Sequence, residues 1–178
     1  RLSNLDLSET SIVSGGNSYM YDYGSYEQYY TKQDTLNTYS FYNCPALEII
    51  TLPKTLKAVE KMVFSVCKKI SLIEIPASVT SISASAFNYC TRLENINVAD
   101  DNSYYKSVDG VLFNKSMTEI LRYPLYKKGA YEIPQTVIVV GEYAFHLSTG
   151  LTEVVLPSTL KDIKKCGFFN CSKLTELY

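Results

Sequence analysis

Cys44, Cys67, Cys90 and Cys171 are the residues of this chain with the widest chemical range, since a thiol can ligate metal, exchange disulfides or attack an electrophile. Their spacing argues against all three uses. Metal sites usually bring cysteines in close C-x2-4-C pairs with histidine nearby, whereas Cys44, Cys67 and Cys90 stand 23 residues apart. Each of the four follows a phenylalanine by three positions, and Ser148 takes the same slot after Phe145. A small residue interchangeable with serine reads as buried filler, so mostly free thiols are expected. Neighbouring cysteines could bridge only if their Cα atoms came within about 7 Å. Cys166 alone is out of phase.

His146 is the sole histidine. It follows Phe145 at a position where other copies carry Tyr42, Ser65, Asn88 and Phe169, so the sequence reads it as solvent-facing and without a nucleophile to serve. Asp100, Asp101 and Asn102 offer adjacent oxygens but not a six-to-eight-ligand calcium site, and read as a polar loop. Gly15-Gly16 and Asp109-Gly110 are turn formers outside any GxGxxG or P-loop pattern. The expectation is a chain with no catalytic residues, no metal and no cofactor.

The phenylalanines that set this phase reveal the architecture. Phe41, Phe64 and Phe87 are 23 apart, as are Phe145 and Phe168; Pro53 and Pro76, and Pro134 and Pro157, keep the same period. A fixed period of this size marks a solenoid. Phe87 and Phe145 are separated by 58 residues, one unit plus 35 more, so an insertion must leave the stack and return.

Aligned on Phe87, the unit reads Ile75-Pro76, an apolar pair at Val79 and Ile82, then Ala86-Phe87, Cys90, Leu93, Ile96 and Val98. The alternation at its end suits a short strand with every second side chain inward, repeated at Leu47–Leu52, Ile70–Ile75, Leu151–Leu156 and Leu174–Tyr178. In register these strands make one parallel sheet. Proline at the strand end removes a ladder donor and turns the chain. The residue before each phenylalanine (Ser40, Val63, Ala86, Ala144, Gly167) suggests a tight turn or single helical coil, with the ring as a wedge filling each layer.

Composition sets further bounds. The net charge of −1 gives no overall field to steer the chain onto nucleic acid or an anionic membrane. No apolar run approaches the roughly 18 to 20 residues of a membrane span. The chain starts at Arg1 without signal-peptide features, consistent with a fragment of a longer precursor.

"IPASVTSISASAFNYCTRLENINV" and "LPSTLKDIKKCGFFNCSKLTEL" resemble the 23-residue leucine-rich repeats of BspA-like surface proteins. "YYKSVDGVLFNKSMTEILRYP" resembles a hairpin insertion of that family, and Leu2–Ser8 an "LxxLDLS" strand. The resemblance implies a leucine-rich-repeat solenoid, mainly β with short helical turns, with a parallel sheet of short strands and one β-hairpin insertion. It divides a single array into a leading strand (1–14), a Tyr-rich insertion (15–35), repeats (36–99), a hairpin insertion (100–132) and repeats (133–178). It also implies a bacterial or protozoan protein, secreted or at the cell surface, with a binding rather than catalytic role. The hairpin reads as self-contained, so residues 101–130 are expected to be dispensable for stacking.

In such arrays the outward strand positions form the binding face. Here they include Glu48, Glu74, Glu94, Asn97 and Glu153, a lane of carboxylates, while Lys57, Lys61, Lys161, Lys164 and Lys165 precede the phenylalanines. The chain has 16 tyrosines and no tryptophan, and "NSYMYDYGSYEQYY" concentrates Tyr19, Tyr21, Tyr23 and Tyr26 where no repeat signal exists. Tyrosine supplies rigid contact area at low entropic cost. The expected function is a non-enzymatic protein-binding or adhesion module whose partner is a host, neighbouring-cell or matrix protein. The alternatives are glycan binding through the tyrosines, or an architectural spacer.

Overall fold

The structure is a computed structural model that describes residues 3–22 and 27–178. It is a β-solenoid built from two lanes of parallel strands. The chain begins with β1 (Asn4–Asp6) and a hairpin of β2 (Gly15–Asp22) and β3 (Glu27–Thr31). The first block of rungs follows as β4 (Thr35–Leu36), β5 (Ile49–Thr51), β6 (Ala58–Val59), β7 (Leu72–Ile75), β8 (Ser81–Ile82) and β9 (Asn95–Val98). Next come β10 (Tyr105–Val108), β11 (Val111–Asn114) and β12 (Glu119–Arg122). The second block holds β13 (Gly129–Glu132), β14 (Val139–Val140), β15 (Leu151–Val155), β16 (Asp162–Ile163) and β17 (Glu176–Leu177).

The expected strands after each phenylalanine form the first lane. β1 pairs with β5, β7 with β9, and β13 with β15 and then β17, all parallel. β7 shows why the sequence alternates: Ile73 and Ile75 are buried while Leu72 and Glu74 face out. A second lane, not foreseen, runs before the phenylalanines as β4-β6-β8 and β12-β14-β16. Its strands are two to four residues long, too short for alternation to register as a pattern.

Where short helical turns were expected, no helix forms among the described residues. The amides of Tyr39, Phe41 and Asn43 donate to Lys61, Val63 and Ser65 of the next rung, while those of Ser40 and Tyr42 close turns onto Asn37 and Tyr39. A helix needs successive amides to point along one axis. Here alternate amides leave for the neighbouring rung, so the chain alternates into left-handed conformations at Tyr39, Asn43, Met62, Val66, Tyr143, Leu147, Cys166 and Asn170, with φ of 54° to 67°. Such φ values cost roughly 1–2 kcal/mol in an L-residue. The cross-rung bonds and the buried rings hold them in place.

Phenylalanine is the wedge in each layer. Phe41, Phe64 and Phe87 stack at 5.8 and 5.9 Å, and Tyr123, Phe145 and Phe168 at 5.2 and 4.6 Å. Tyr123 thus occupies the phenylalanine slot of a hidden rung. Its amide donates to Ala144 O at 2.8 Å, as that of Phe64 does to Ala86 O at 2.9 Å.

The segment expected to be a dispensable hairpin therefore divides in two. β10 and β11 are the hairpin, joined by Asp109 (φ 50°) and Gly110 (φ 72°) in the doubly left-handed turn that suits right-twisted strands. β12 and β13 return to the two lanes, pairing with β14 and β15. Gly110 docks on β9: its carbonyl accepts from Ile96 N at 2.9 Å, and a Cβ there would meet Asn95 Cα at 2.9 Å. β11 lies between two apolar clusters, Leu112 in the first and Val111 and Phe113 in the second. Replacing residues 101–130 by a linker would remove the layer that joins the cores, contrary to the expectation from sequence. The local turn signal is read correctly, but burial on both faces of β11 is a property of the stack.

Candidate functional site

Glu48, Glu74, Glu94 and Asn97 come together on the outer face of the first lane, with Glu74 opposite Asn97 in the β7–β9 register. All four are exposed. Glu48 accepts from Lys69 Nζ at 2.6 Å, and that bond holds its carboxyl below the ordinary value. Between the carboxylates stand two exposed aliphatic side chains, Ile49 (57% exposed) and Leu72 (38%). A cleft of about 340 Å³ opens at the strand ends, with Thr51, Glu74 and Asn97 along its wall and Ile75 and Val98 beneath.

Glu153 does not join them. It sits on β15, partly buried and opposite Glu176 of β17, beyond the hairpin tip that takes the place next to β9. The acidic lane is thus two patches. The lysines are likewise divided: Lys57 and Lys61 lie in the first block, and Lys161, Lys164 and Lys165 in the second, where Lys164 bonds Glu119 at 2.7 Å. Tyr19 and Tyr21 lie on β2, and Tyr23 and Tyr26 fall outside the described residues.

His146 is buried rather than solvent-facing, at 5% exposure. It lies among Tyr89, Tyr143 and Phe169, with ring centroids at 6.0, 5.3 and 5.6 Å. Burial, with help from the Arg122 charge, keeps its pKa below the ordinary value and hence the ring neutral. Asn102 is fully buried: its amide nitrogen bonds Pro76 O and Val79 O at 2.9 and 3.0 Å, and its oxygen accepts from Tyr104 and Tyr105 N at 2.8 Å. With both ends engaged it anchors the hairpin to the first block.

The cysteines form a ladder of their own. Cys67, Cys90 and Cys171 donate to the carbonyls of Phe41, Phe64 and Phe145 at 2.9 to 3.0 Å, one rung back in each case. Burial raises the thiols of Cys67 to about 11 and Cys90 to about 12, far from the thiolate a nucleophile requires. The Tyr123 hydroxyl is raised to about 12 for the same reason, and that of Tyr131 is raised further. These acids have higher pKa values folded than unfolded, so their stabilisation is whole below the unfolded values and is lost as pH climbs through the folded ones. Arg122, lowered to about 10 by burial, works in the opposite direction. Melting temperature should fall from about pH 9 to pH 12. A flat profile to pH 12 would contradict the packing of these groups.

Arg122 was missed in the sequence. It is 1% exposed and no carboxylate bridges to it among the described residues. Its guanidinium donates to Tyr143 O at 2.7 Å, Asn88 Oδ1 at 3.3 Å, His146 O at 3.4 Å and Phe87 O at 3.5 Å, tying the first block to the second. One signal could have found it: "LRYP" mimics the unit with tyrosine for phenylalanine, 22 residues before Phe145.

The sequence matches the BspA type leucine rich repeat region in 6 copies, over residues 17–124 and 126–178. The chain belongs to this family. Among solved structures, this BspA-type chain is similar to the pneumococcal vaccine antigen PcpA, with 26% identity and a TM-score of 0.74, over 79% of this chain and 35% of that one. It is similar at 27% identity and TM-score 0.74 to a leucine rich cell surface protein of Faecalibacterium prausnitzii A2-165, over 99% of this chain and 41% of that one. A T. pallidum leucine rich repeat protein shares 26% identity at TM-score 0.51, over 79% of this chain and 60% of its own. The chain spans well under half the length of the first two. No curated protein matches it significantly.

Proposed function

We propose that this BspA-type array is a non-enzymatic protein-binding module, displayed at a bacterial cell surface or secreted, that adheres to a host, neighbouring-cell or matrix protein bearing basic side chains. The observation that carries the reading is the pair Ile49 and Leu72, exposed on adjacent rungs and rimmed by Glu48, Glu74, Glu94 and Asn97. An apolar centre with a polar rim is the anatomy of a protein interface. The scaffold repeats its core slots while the outward slots differ from rung to rung, which lets one fold present a specific surface. Two similar structures, a vaccine antigen and a cell surface protein, support the compartment. Glu153 and the tyrosines of β2 belong to this proposal only as outlying contacts.

The test is adherence of the chain to cultured epithelial cells and to matrix-coated surfaces. Ile49→Asp combined with Glu74→Lys and Glu94→Lys should reduce adherence at least about tenfold, a change of roughly 1.4 kcal/mol. Each side chain is solvent-exposed, so stability should move by no more than about 0.5 kcal/mol per site. Undiminished adherence with an intact melt would remove this face from the function.

A further inference from the structure

A second face carries a separate feature. Along the other lane a groove of about 450 Å³ crosses three successive rungs, within the usual range of small-ligand sites. The register sets Thr35, Ala58 and Ser81 in one column and Leu36, Val59 and Ile82 in the next, so the rungs continue into Tyr39, Glu60 and Ser83 on the groove wall. Tyr29 of β3 stands on Tyr39 with ring centroids 5.6 Å apart and planes at 85°, making an aromatic corner at one end. The far side is a row of hydroxyls, Ser81, Ser83 and Ser85, with Ser83 Oγ 3.3 Å from Ser85 Oγ.

Glu60 and Lys61 are the charged residues of the groove wall. Glu60 is fixed by Lys32 Nζ at 2.5 Å and by Thr38 N and Oγ1 at 3.1 and 3.0 Å, and Lys61 lies beside it. A carboxylate with two oxygens has about four acceptor positions, so these three bonds leave room for about one hydroxyl donor. A separate cavity of about 220 Å³ also borders Ser83, with Glu119 and Lys164 in its lining.

We infer that this groove binds a neutral oligosaccharide. A sugar presents apolar C–H faces flanked by hydroxyls, which suits an aromatic corner facing serines and a positioned carboxylate. With Glu60 matched by Lys32, the wall keeps the charge of Lys61 but no cluster of basic groups to hold an anionic polymer. The apolar part of the wall is small, Val59 being 1% exposed and Met62 partly buried, whereas the opposite lane offers a peptide the exposed Ile49 and Leu72. The extent of the groove over three rungs favours a chain of sugars over a single ring. The site differs from the tyrosine stretch weighed from sequence, since it uses Tyr29 and Tyr39 with residues of three rungs.

The experiment is an array of short neutral chains of glucose, galactose, mannose and N-acetylhexosamine, probed beside a panel of extended peptides. Saturable binding to neutral glycans is expected, weakened at least about tenfold by Ser81→Trp, which fills the groove from an exposed position, and by Tyr39→Ala. Thermal melts verify that each variant is folded. The variant carrying Ile49→Asp, Glu74→Lys and Glu94→Lys should bind glycans as before, which separates this site from the protein-binding face. No glycan binding by the folded chain, binding that survives Ser81→Trp, or binding of peptides alone would each overturn the assignment.

Discussion

Arg122→Ala is expected to destabilise the chain by about 3–5 kcal/mol, the range for truncating a large buried side chain. Two losses combine. The stem leaves a void between Phe87 and the Tyr123 layer, and Tyr143 O, Phe87 O, His146 O and Asn88 Oδ1 lose a buried donor. Arg122→Met separates them, because it keeps most of the volume and removes a cation that no carboxylate bridges among the described residues. Its expected cost is smaller, about 1–3 kcal/mol, the penalty of unsatisfied buried acceptors. Denaturant melts of the two variants decide the matter. Equal losses would mean that the hydrogen bonds alone join the blocks, and a loss below about 1 kcal/mol for alanine would mean that Arg122 does not join them.

Phe87→Ala should cost a similar amount, about 3–5 kcal/mol. The ring is 1% exposed, stacked 5.9 Å from Phe64 on one side and covered by Leu112 and Arg122 near the break in the ring ladder. Neighbouring rungs are fixed by backbone bonds on both lanes and cannot collapse into the space. Phe168→Ala should cost clearly less, since Phe168 is only partly buried and, among the described residues, its ring stacks on Phe145. The comparison is made by the shift in denaturation midpoint at constant slope. Equal penalties would show that Phe168 is covered by something these 178 residues do not contain.

The candidate faces were legible to different degrees. Glu74 and Asn97 could be placed on one face because strand alternation settles which side chains point out, while Glu48 and Glu94, just before β5 and β9, are placed by their shared slot after the repeat leucine. Glu153 could not be separated from them, because the hairpin tip at Gly110 that interrupts the lane contacts β9 across 15 residues of chain. The groove lined by Tyr29, Tyr39 and Ser83 draws on positions too distant in sequence for any local motif.

The 23-residue rung, the phenylalanine wedge, the inward cysteines and the strand after each phenylalanine are legible in the chain, because they depend on short-range periodicity that the copies restate. The second lane, the rung around Tyr123, the buried His146 and the Arg122 link emerge with the assembled stack. Each of these is set by what the next rung offers. A residue such as Arg122 is charged and apparently a surface residue until Asn88 and Tyr143, 34 and 21 positions away, are brought to it. Burial in a solenoid is created by stacking, and stacking is a relation between copies that no single copy encodes.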